Sequence, residues 1–595
     1  MKRLLITTLV LFTLVLPPAR LWADEAAPDV LAVAPADAWG VICVRQMGEM
    51  DKKLNTLVQQ LNLPSPFPNP ISMGLSMLGF VSGVDATGGV GLVFLPAPSF
   101  QAVRDRIVVL IPTKDLKELL SLMEPEEVEP GISKVILQNQ PLFAAQKTAH
   151  AVLSPSLDAV KAVLASTASV RSKLNPYQAK HYEKDDLLLW INAEGVTTSG
   201  PFKMLAPMLQ MMNVDPAMLT GLRTLAVSLR ITPAGLGFGF FADAIPGSDA
   251  DKTMSSQKGT TESLLLGLPK DRYVLGYGGM SSKEASEMGA GMLAKILDHP
   301  QIQALQLDPA KLAQLKDMLL ARVKLLRTLS VGIWGLSEGP DGLVASAKVV
   351  GLDGDPKEGL ALFAELVTLI KGGLIPDPKA ASMLAGLEYK VGAETLNGVS
   401  VDHLSFDLAK AFGEEAQKAW VQEAVGVISK ILGKDALLVR AGVVDANHIV
   451  MTFGGGAERF KAVAALVKAK QSPLAEDGGI QRVRAQLPTT RNAEAYLAVD
   501  QLLNVINAIA KAADQPIPPL SLGELNAPLA LGTEPVEKGG SQSELFVPME
   551  LVVAVKDLAM NMMGGSGDRP GGPGAPATRP SGAVPGEKPE GKPNP

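Results

Sequence analysis

Residues 227–241 read VSLRITPAGLGFGFF, and this stretch carries the clearest local pattern in the chain. Apolar residues alternate with polar or small residues on both sides of Thr232-Pro233-Ala234-Gly235. Such alternation is typical of β-strands, and a proline followed closely by a glycine is typical of a tight turn. The stretch therefore predicts an antiparallel hairpin with one buried face.

A second hairpin and several helices are predicted by the same reasoning. Residues 331–336 and 343–350 are apolar runs separated by a glycine- and proline-containing turn. Apolar residues recur at helical spacing in three longer segments: residues 311–326, 357–370 and 414–432. Antiparallel strands together with such helices predict an α+β protein whose antiparallel sheets are covered by helices.

The chain also contains an internal duplication. The pattern Pro-x-Asp-x-aromatic occurs at residues 35–39 and again at 269–273, each time before an apolar strand. Two further pairs of similar segments follow in the same order: residues 147–154 with 445–452, and residues 186–192 with 494–500. Repeated order of this kind predicts two diverged copies of one unit. We place the two halves at residues 24–260 and 261–562.

A fourth pair of similar segments does not fit the duplication. Residues 223–227 and 327–331 both open hairpins, but they break the order of the other three pairs. Two unrelated hairpins explain this similarity equally well.

The first 23 residues have the pattern of a secretory signal. A basic start at Lys2 and Arg3 precedes an apolar run over residues 4–16, and Ala23 precedes the first acidic residue. The run is shorter than the ~20 residues that span a membrane. We predict cleavage after Ala23, a periplasmic or secreted mature protein, and no transmembrane span after cleavage. An uncleaved N-terminal anchor is the alternative, because Leu21, the third residue before the predicted cleavage site, is less suitable there than a small residue.

Composition narrows the class of protein. The formal net charge is −6, which argues against nucleic acid as a partner. Cys43 is the only cysteine, so no disulfide supports the fold, and its apolar surroundings predict a small packed side chain. Residues 563–595 are rich in glycine, proline and charge, which predicts a disordered tail.

No motif in the sequence points to catalysis, a metal or a cofactor. The five histidines form no metal-ligand pattern, and no phosphate-binding loop or nucleophile motif is complete. His150 and His448 hold matching positions in the duplication, where a polar residue before a strand is expected. We therefore predict no catalytic residues, no metal site and no cofactor.

One cluster of methionines is a candidate ligand-binding surface. Met204, Met208 and Met211 fall on one face of a predicted helix. Methionine side chains are flexible and polarizable, so such a stripe can line an adaptable apolar site. Ordinary core packing of an apolar helix face is the alternative interpretation.

The order of elements resembles a known family. A Pro-Ala-Asp entry to the first strand is followed by the apolar run and helix start of residues 107–120, and then by a strand ending in Val152-Leu153-Ser154-Pro155-Ser156. This order is similar to that of exported bacterial proteins of the DUF3352 type, a domain of unknown function common in planctomycete-like genomes. The resemblance covers residues 28–260 and, more weakly, 261–556. It implies export and this architecture, and no activity.

Three functions remain open on the sequence alone. The leading hypothesis is a non-enzymatic envelope protein with an interaction or scaffold role towards an unknown protein. The second is a carrier of a lipid or other apolar ligand, with the methionine stripe lining its cavity. The third is an enzyme whose site is assembled from distant loops.

Overall fold

The computed structural model describes residues 27–63, 69–99, 101–203, 217–298, 302, 307–377, 384–435, 437–515, 520–537 and 539–564. The predicted signal at residues 1–23 and all but the start of the predicted tail lie outside them. No helix within these ranges is both long enough and apolar enough to span a membrane.

Twenty strands form one continuous antiparallel sheet. In the first half the strands are β1 Gly40–Val44, β2 Val90–Phe94, β3 Ile107–Pro112, β4 Glu126–Glu129, β5 Ile132–Leu137, β6 Gln140–Lys147, β7 His150–Ser154, β8 Leu187–Ile191, β9 Leu222–Thr232 and β10 Gly235–Ala244. In the second half they are β11 Tyr273–Met280, β12 Leu326–Gly335, β13 Val344–Leu352, β14 Leu387–Leu396, β15 Val399–Phe406, β16 Leu438–Val443, β17 His448–Phe453, β18 Ala493–Leu497, β19 Leu529–Val536 and β20 Gly540–Pro548.

The α-helices lie between these strands and on both sides of the sheet. Those of the first half are α1 Val30–Val33, α2 Met47–Gln60, α3 Pro70–Met77, α4 Leu116–Leu119, α5 Leu157–Ala165, α6 Pro176–Lys184, α7 Ala193–Thr197, α8 Ala217–Thr220 and α9 Asp249–Ser256. Those of the second half are α10 Lys283–Leu297, α11 Pro309–Val323, α12 Pro356–Leu369, α13 Leu408–Phe412, α14 Ala419–Leu432, α15 Gly456–Lys468, α16 Gly478–Arg484, α17 Val499–Ala512 and α18 Met549–Gly564. The predicted α+β class is confirmed.

The pairing of the strands shows the duplication directly. From one edge to the centre, the first half runs β4-β5-β6-β7-β3-β2-β1-β8-β9-β10. From the other edge, the second half runs β14-β15-β16-β17-β13-β12-β11-β18-β19-β20. Each strand of the first half has its counterpart ten strands later, and β10 pairs antiparallel with β20 at the centre. The two halves are therefore related by a pseudo-twofold axis through this central pair, which we call the seam.

Three of the four pairs of similar sequence segments agree with this strand order. The first three pairs open or contain counterpart strands, namely β1 with β11, β7 with β17, and β8 with β18, so they are genuine repeats. The fourth pair was not a repeat, because residues 223–227 lie in β9 and residues 327–331 lie in β12, whose counterparts are β19 and β2. Both segments look alike only because each enters a long hairpin.

One side of the sheet carries the two largest hydrophobic cores, and we call it the covered face. In the first half, Val41, Cys43 and Trp190 pack there against α1, α5 and α6. In the second half, Trp334 and Tyr496 pack against α15 and α16. Burial of apolar side chains on this face is the main stabilising contribution to the fold. Cys43 is fully buried and burial raises the pKa of its thiol, which fits the predicted packing role.

The two edges of the sheet are protected against further pairing. At one edge β4 is short and carries Glu126, Glu127 and Glu129. At the other edge β14 is interrupted by a bulge between Lys390 and Glu394. Short charged strands and bulges are the usual means of preventing edge-to-edge association.

Two predicted helices differ from the structure at their ends. The predicted helix at residues 311–326 ends earlier, at Val323, because β12 begins at Leu326. The predicted helix at 414–432 begins later, at Ala419, after a short 3-10 turn. In the first case the apolar run continues past the end of the helix into β12.

Candidate functional site

The second side of the sheet is apolar but only partly covered over its ten central strands. We call this side of β2, β1, β8, β9, β10, β20, β19, β18, β11 and β12 the open face. One row of directly paired residues crosses all ten strands, and we call it the long row. Its members in spatial order are Val90, Val44, Leu187, Leu229, Phe238, Leu545, Leu531, Ala495, Tyr277 and Val331. Nine strand spacings make the long row roughly 43 Å long.

The residues of the open face are half-exposed, in contrast to those of the covered face. Along β10, Gly237, Gly239 and Phe241 are buried, whereas Phe238 is half-buried and Phe240 is 43% exposed. Leu531 and Leu92 on other strands of this face are 38% and 37% exposed. A contiguous apolar surface of this extent is uncommon on a monomeric soluble protein and usually marks an interaction site.

The chemistry of the open face is almost free of polar groups. Tyr277 carries the only polar side-chain atom in the long row. Next to that row, Thr533 and Ser543 satisfy each other through a hydrogen bond of 3.1 Å. At the second-half end, the residue paired with Val331 on β13 is the exposed lysine Lys348. The face can therefore offer dispersion contacts and desolvation to a ligand, with few hydrogen bonds.

Amphipathic helices border the open face without closing over it. Val505 of α17 packs beside Gly335 at the end of β12. Lys556 of α18 donates a hydrogen bond of 2.9 Å to the carbonyl of Leu61, just after α2, so the two halves touch here. A cavity of about 500 Å³ lies between α18, the segment at residues 521–525 and the end of α2, and its apolar walls include Leu522, Leu525, Met549, Val553 and Leu558.

Outside the ten central strands, the same side of the sheet is closed. In the first half, Ile111 and Leu153 pack against α2, α3 and α4. In the second half, Ile449 packs against Leu360 of α12. The open face is therefore bounded at the first-half end by a filled core, and at the second-half end by Lys348 and the smaller core around Ile449.

On the covered face, a buried polar network crosses the seam. Arg230 of β9 forms an ion pair with Glu544 of β20. A second chain of contacts joins Gln542 of β20 to His181, at 2.8 Å, and His181 to Asp185, at 3.2 Å. Glu544 is 7% exposed, and burial raises the pKa of its carboxyl group despite the nearby guanidinium. The network fixes the two halves to each other.

Glycines in β10 make room for this network. A side chain at Gly237 would meet the Arg230 guanidinium, and one at Gly239 would meet Ser228 and the ring of Phe241. The alternation Gly-Leu-Gly-Phe-Gly-Phe in β10 thus places small residues under the ion pair and large apolar residues on the open face.

Replacing Glu544 by glutamine should change how stability depends on pH. Burial raises the pKa of the Glu544 carboxyl group in the folded protein. Its contribution to the free energy of unfolding is therefore fully present below the unfolded-state pKa of about 4.3, and it is lost as the pH rises through the folded-state pKa. Glutamine cannot ionise, so the unfolding free energy of Glu544→Gln minus that of the wild type should increase from pH 4 to pH 8. Urea unfolding at several pH values measures this difference. A difference that is constant or falls with pH would contradict the assignment.

The predicted methionine stripe cannot be placed. Met204, Met208 and Met211 lie outside the described residues. The described flanks, α7 and α8, show that the segment belongs to the connection between β8 and β9. Its counterpart in the second half is the connection between β18 and β19, which contains α17 beside the open face. The lining role of these methionines stays a prediction.

The two matched histidines are structural in the part of the chain that is described. His150 is buried at the start of β7, where Nε2 lies 3.0 Å from the carbonyl of Gly89. His448 opens β17, and its Nδ1 lies 2.8 Å from Asp445. Within the described ranges, no group of three histidine, cysteine, aspartate or glutamate residues is arranged to hold a metal ion.

The open face was missed by the sequence analysis, although a signal for it exists. Residues 187–191 read Leu-Leu-Leu-Trp-Ile and were interpreted only as a strand. A strand with one buried face alternates apolar and polar residues, whereas an unbroken apolar run means that both faces are apolar. In an antiparallel sheet with helices packed on one side, such runs indicate a second apolar surface.

Comparison with known proteins identifies no family. No protein-family model matches the chain, and no curated protein sequence is significantly similar. Among solved structures, crystal form I of TP0453 aligns with a TM-score of 0.21 at 11% identity, covering 37% of this chain and 80% of that chain. Crystal form IV of the same protein aligns with a TM-score of 0.23 at 11% identity, covering 38% of this chain and 83% of that chain. Similarity at this level carries no information about function, and the resemblance to DUF3352 proteins stays a prediction.

Proposed function

We propose that this protein is a non-enzymatic binding protein that holds the acyl chains of a lipid, or a comparable apolar molecule, on its open face. The observation that carries the proposal is the long row, in which ten paired side chains on ten adjacent strands form one apolar surface across both halves. The proposal keeps the exported, envelope location predicted from residues 1–23.

The chemistry of the face favours an acyl chain over a protein segment. Protein interfaces carry about one hydrogen bond per 100–200 Å² of buried area. The long row offers only the hydroxyl of Tyr277, and every one of its strands is paired on both sides, so no partner strand can be added there. An acyl chain needs no hydrogen bonds along its length and fits such a surface.

The expected driving force is large enough for useful affinity. Removing apolar surface from water contributes about 25 cal/mol per Å², so covering about 300 Å² contributes roughly 7 kcal/mol before the cost of association. Half-exposed side chains such as Phe238 and Leu545 are already ordered by the sheet, so little additional conformational entropy is lost on binding.

A leading alternative is the scaffold role, in which a protein partner covers the same face. A lipid and a protein partner would both bury the open face. Only the lipid-binding hypothesis predicts that the purified protein releases a defined lipid on extraction with organic solvent.

Replacing Phe240 by aspartate should weaken binding of palmitate to the part of the open face around Phe240 at least tenfold. Phe240 lies beside the seam and is 43% exposed, so the change removes apolar contact and adds a charge where the acyl chain would lie, without opening a core cavity. Burial of one such ring contributes about 1.5–3 kcal/mol, which corresponds to at least a tenfold loss of affinity. Displacement of a fluorescent naphthalene probe by palmitate measures the effect on the full chain.

Val391→Asp is the matched control for this experiment. Val391 also lies on a strand and is 76% exposed, but on the edge strand β14, away from the open face. It should bind palmitate like the wild type. Equal binding by wild type and Phe240→Asp, or equal weakening by both variants, would contradict the proposed function.

A further inference from the structure

We infer that the open face holds two acyl-chain ligands at once, one in each half. This inference rests on the proposed function and adds the number of ligands and the position of each. Its basis is that the pseudo-twofold axis repeats one apolar row in both halves.

The repeated rows follow from the strand register. In the first half, one row of directly paired residues is Leu92, Ile42, Leu189, Val227 and Phe240. In the second half, the corresponding row on β12, β11, β18, β19 and β20 is Val331, Tyr277, Ala495, Leu531 and Leu545. We call these the first-half row and the second-half row.

Pairing at the seam shows that the two rows are equivalent and do not coincide. Phe240, at the inner end of the first-half row, is paired with Ser543, whereas Leu545, at the inner end of the second-half row, is paired with Phe238. The rows are therefore displaced from each other by two residues along the strand direction, about 6.8 Å. Two chains can approach the seam from opposite sides without colliding end to end.

The length of each row fits one acyl chain. Four strand spacings make each row about 19 Å long. One leaflet of a bilayer occupies about half of the ~30 Å hydrocarbon core, or about 15 Å. A single chain of membrane length therefore covers one row and leaves the other half of the open face exposed to water.

The first-half row meets polar side chains at the seam, whereas the second-half row continues across the seam into Phe238. The first-half row is followed across the seam by Ser543 and then Thr533, which are polar and bonded to each other. A chain lying on the first-half row gains little by extending past Phe240. One long ligand that spans both halves is the competing arrangement, and it would follow the long row.

Native mass spectrometry of the delipidated full chain with added palmitate counts the bound ligands. We expect two palmitates on the wild type. Val227→Asp and Leu531→Asp change equivalent positions on the two rows, because Val227 pairs with Phe240 and Leu531 pairs with Leu545. Each variant should bind one palmitate, with the remaining site within about threefold of its original affinity, and the double variant should bind none.

The outcomes separate the inference from the proposed function. One palmitate on the wild type, lost in either single variant, would overturn the two-site inference and leave the binding function intact. No palmitate on the wild type, with a folded circular dichroism spectrum, would overturn both. If either aspartate variant fails to fold, Val227→Ser and Leu531→Ser test the same positions with a smaller change, and Val391→Asp is expected to keep both ligands.

Discussion

Replacing Arg230 by leucine should lower the unfolding free energy by about 3 kcal/mol at pH 8. The change leaves the buried carboxylate of Glu544 without its cation, and removing one partner of a buried ion pair typically costs about 3–5 kcal/mol. We place the effect at the lower end because the Arg230 side chain is 22% exposed. Urea denaturation at pH 8 measures the loss, which should shrink at acidic pH as Glu544 binds a proton.

Two further variants test whether the loss of stability in Arg230→Leu comes from the buried ion pair. The double variant Arg230→Leu with Glu544→Leu should recover most of the loss, because well-packed apolar side chains often replace a buried ion pair without penalty. Lys511→Leu removes a surface pair with Glu338, whose partners are 78% and 73% exposed, and should change stability by less than about 1 kcal/mol. If Arg230→Leu behaved like Lys511→Leu, the ion pair would not contribute to holding the halves together.

Replacing Trp334 by alanine should cost about 3–5 kcal/mol, because it opens a large cavity in the core of the second half. Trp334 is fully buried, and its ring is covered by the guanidinium of Arg459 at 4.6 Å. Thermal and urea unfolding of the purified variant measure the effect. Since one sheet joins both halves, we expect a single transition at lower denaturant concentration rather than loss of the second half alone.

The conservative variant Trp334→Phe should be much milder. The indole N–H of Trp334 has no hydrogen-bond partner among the described residues, so phenylalanine removes no polar contact. We expect a loss of about 1–2 kcal/mol from the smaller ring. A loss equal to that of alanine would show that the indole nitrogen has a partner or that the site does not tolerate any change of shape.

Much of the fold could be predicted from the sequence, because local patterns determine it. The hairpin at residues 227–241 and the repeats at 147–154 and 445–452 were all placed correctly. The order of the strands could not be predicted, since nothing in β10 or β20 indicates that they pair across about three hundred residues. That pairing joins two repeated units into one sheet and creates a surface that neither half has alone.

The residues of the open face could not be predicted from the sequence, because they are far apart in the chain. The methionines at 204–211 were selected for their spacing on a helix, whereas the residues that form the open face are scattered over ten strands. Val44, Leu229 and Leu531 come to lie in one row only through the register of several strand pairs. The one local sign was the unbroken apolar run of β8, and its meaning depends on which side of the sheet the helices cover.

Whether the open face binds acyl chains can be measured by photocrosslinking with a palmitate analogue that carries a diazirine on its acyl chain. We expect adducts on peptides from β1, β2, β8, β9 and β10 and from their counterparts in the second half, with loss of the first-half adducts in Val227→Asp. Adducts confined to exposed apolar residues elsewhere, such as Met77 at 72% exposure and Val391 at 76%, would contradict the claim that the open face is the binding site.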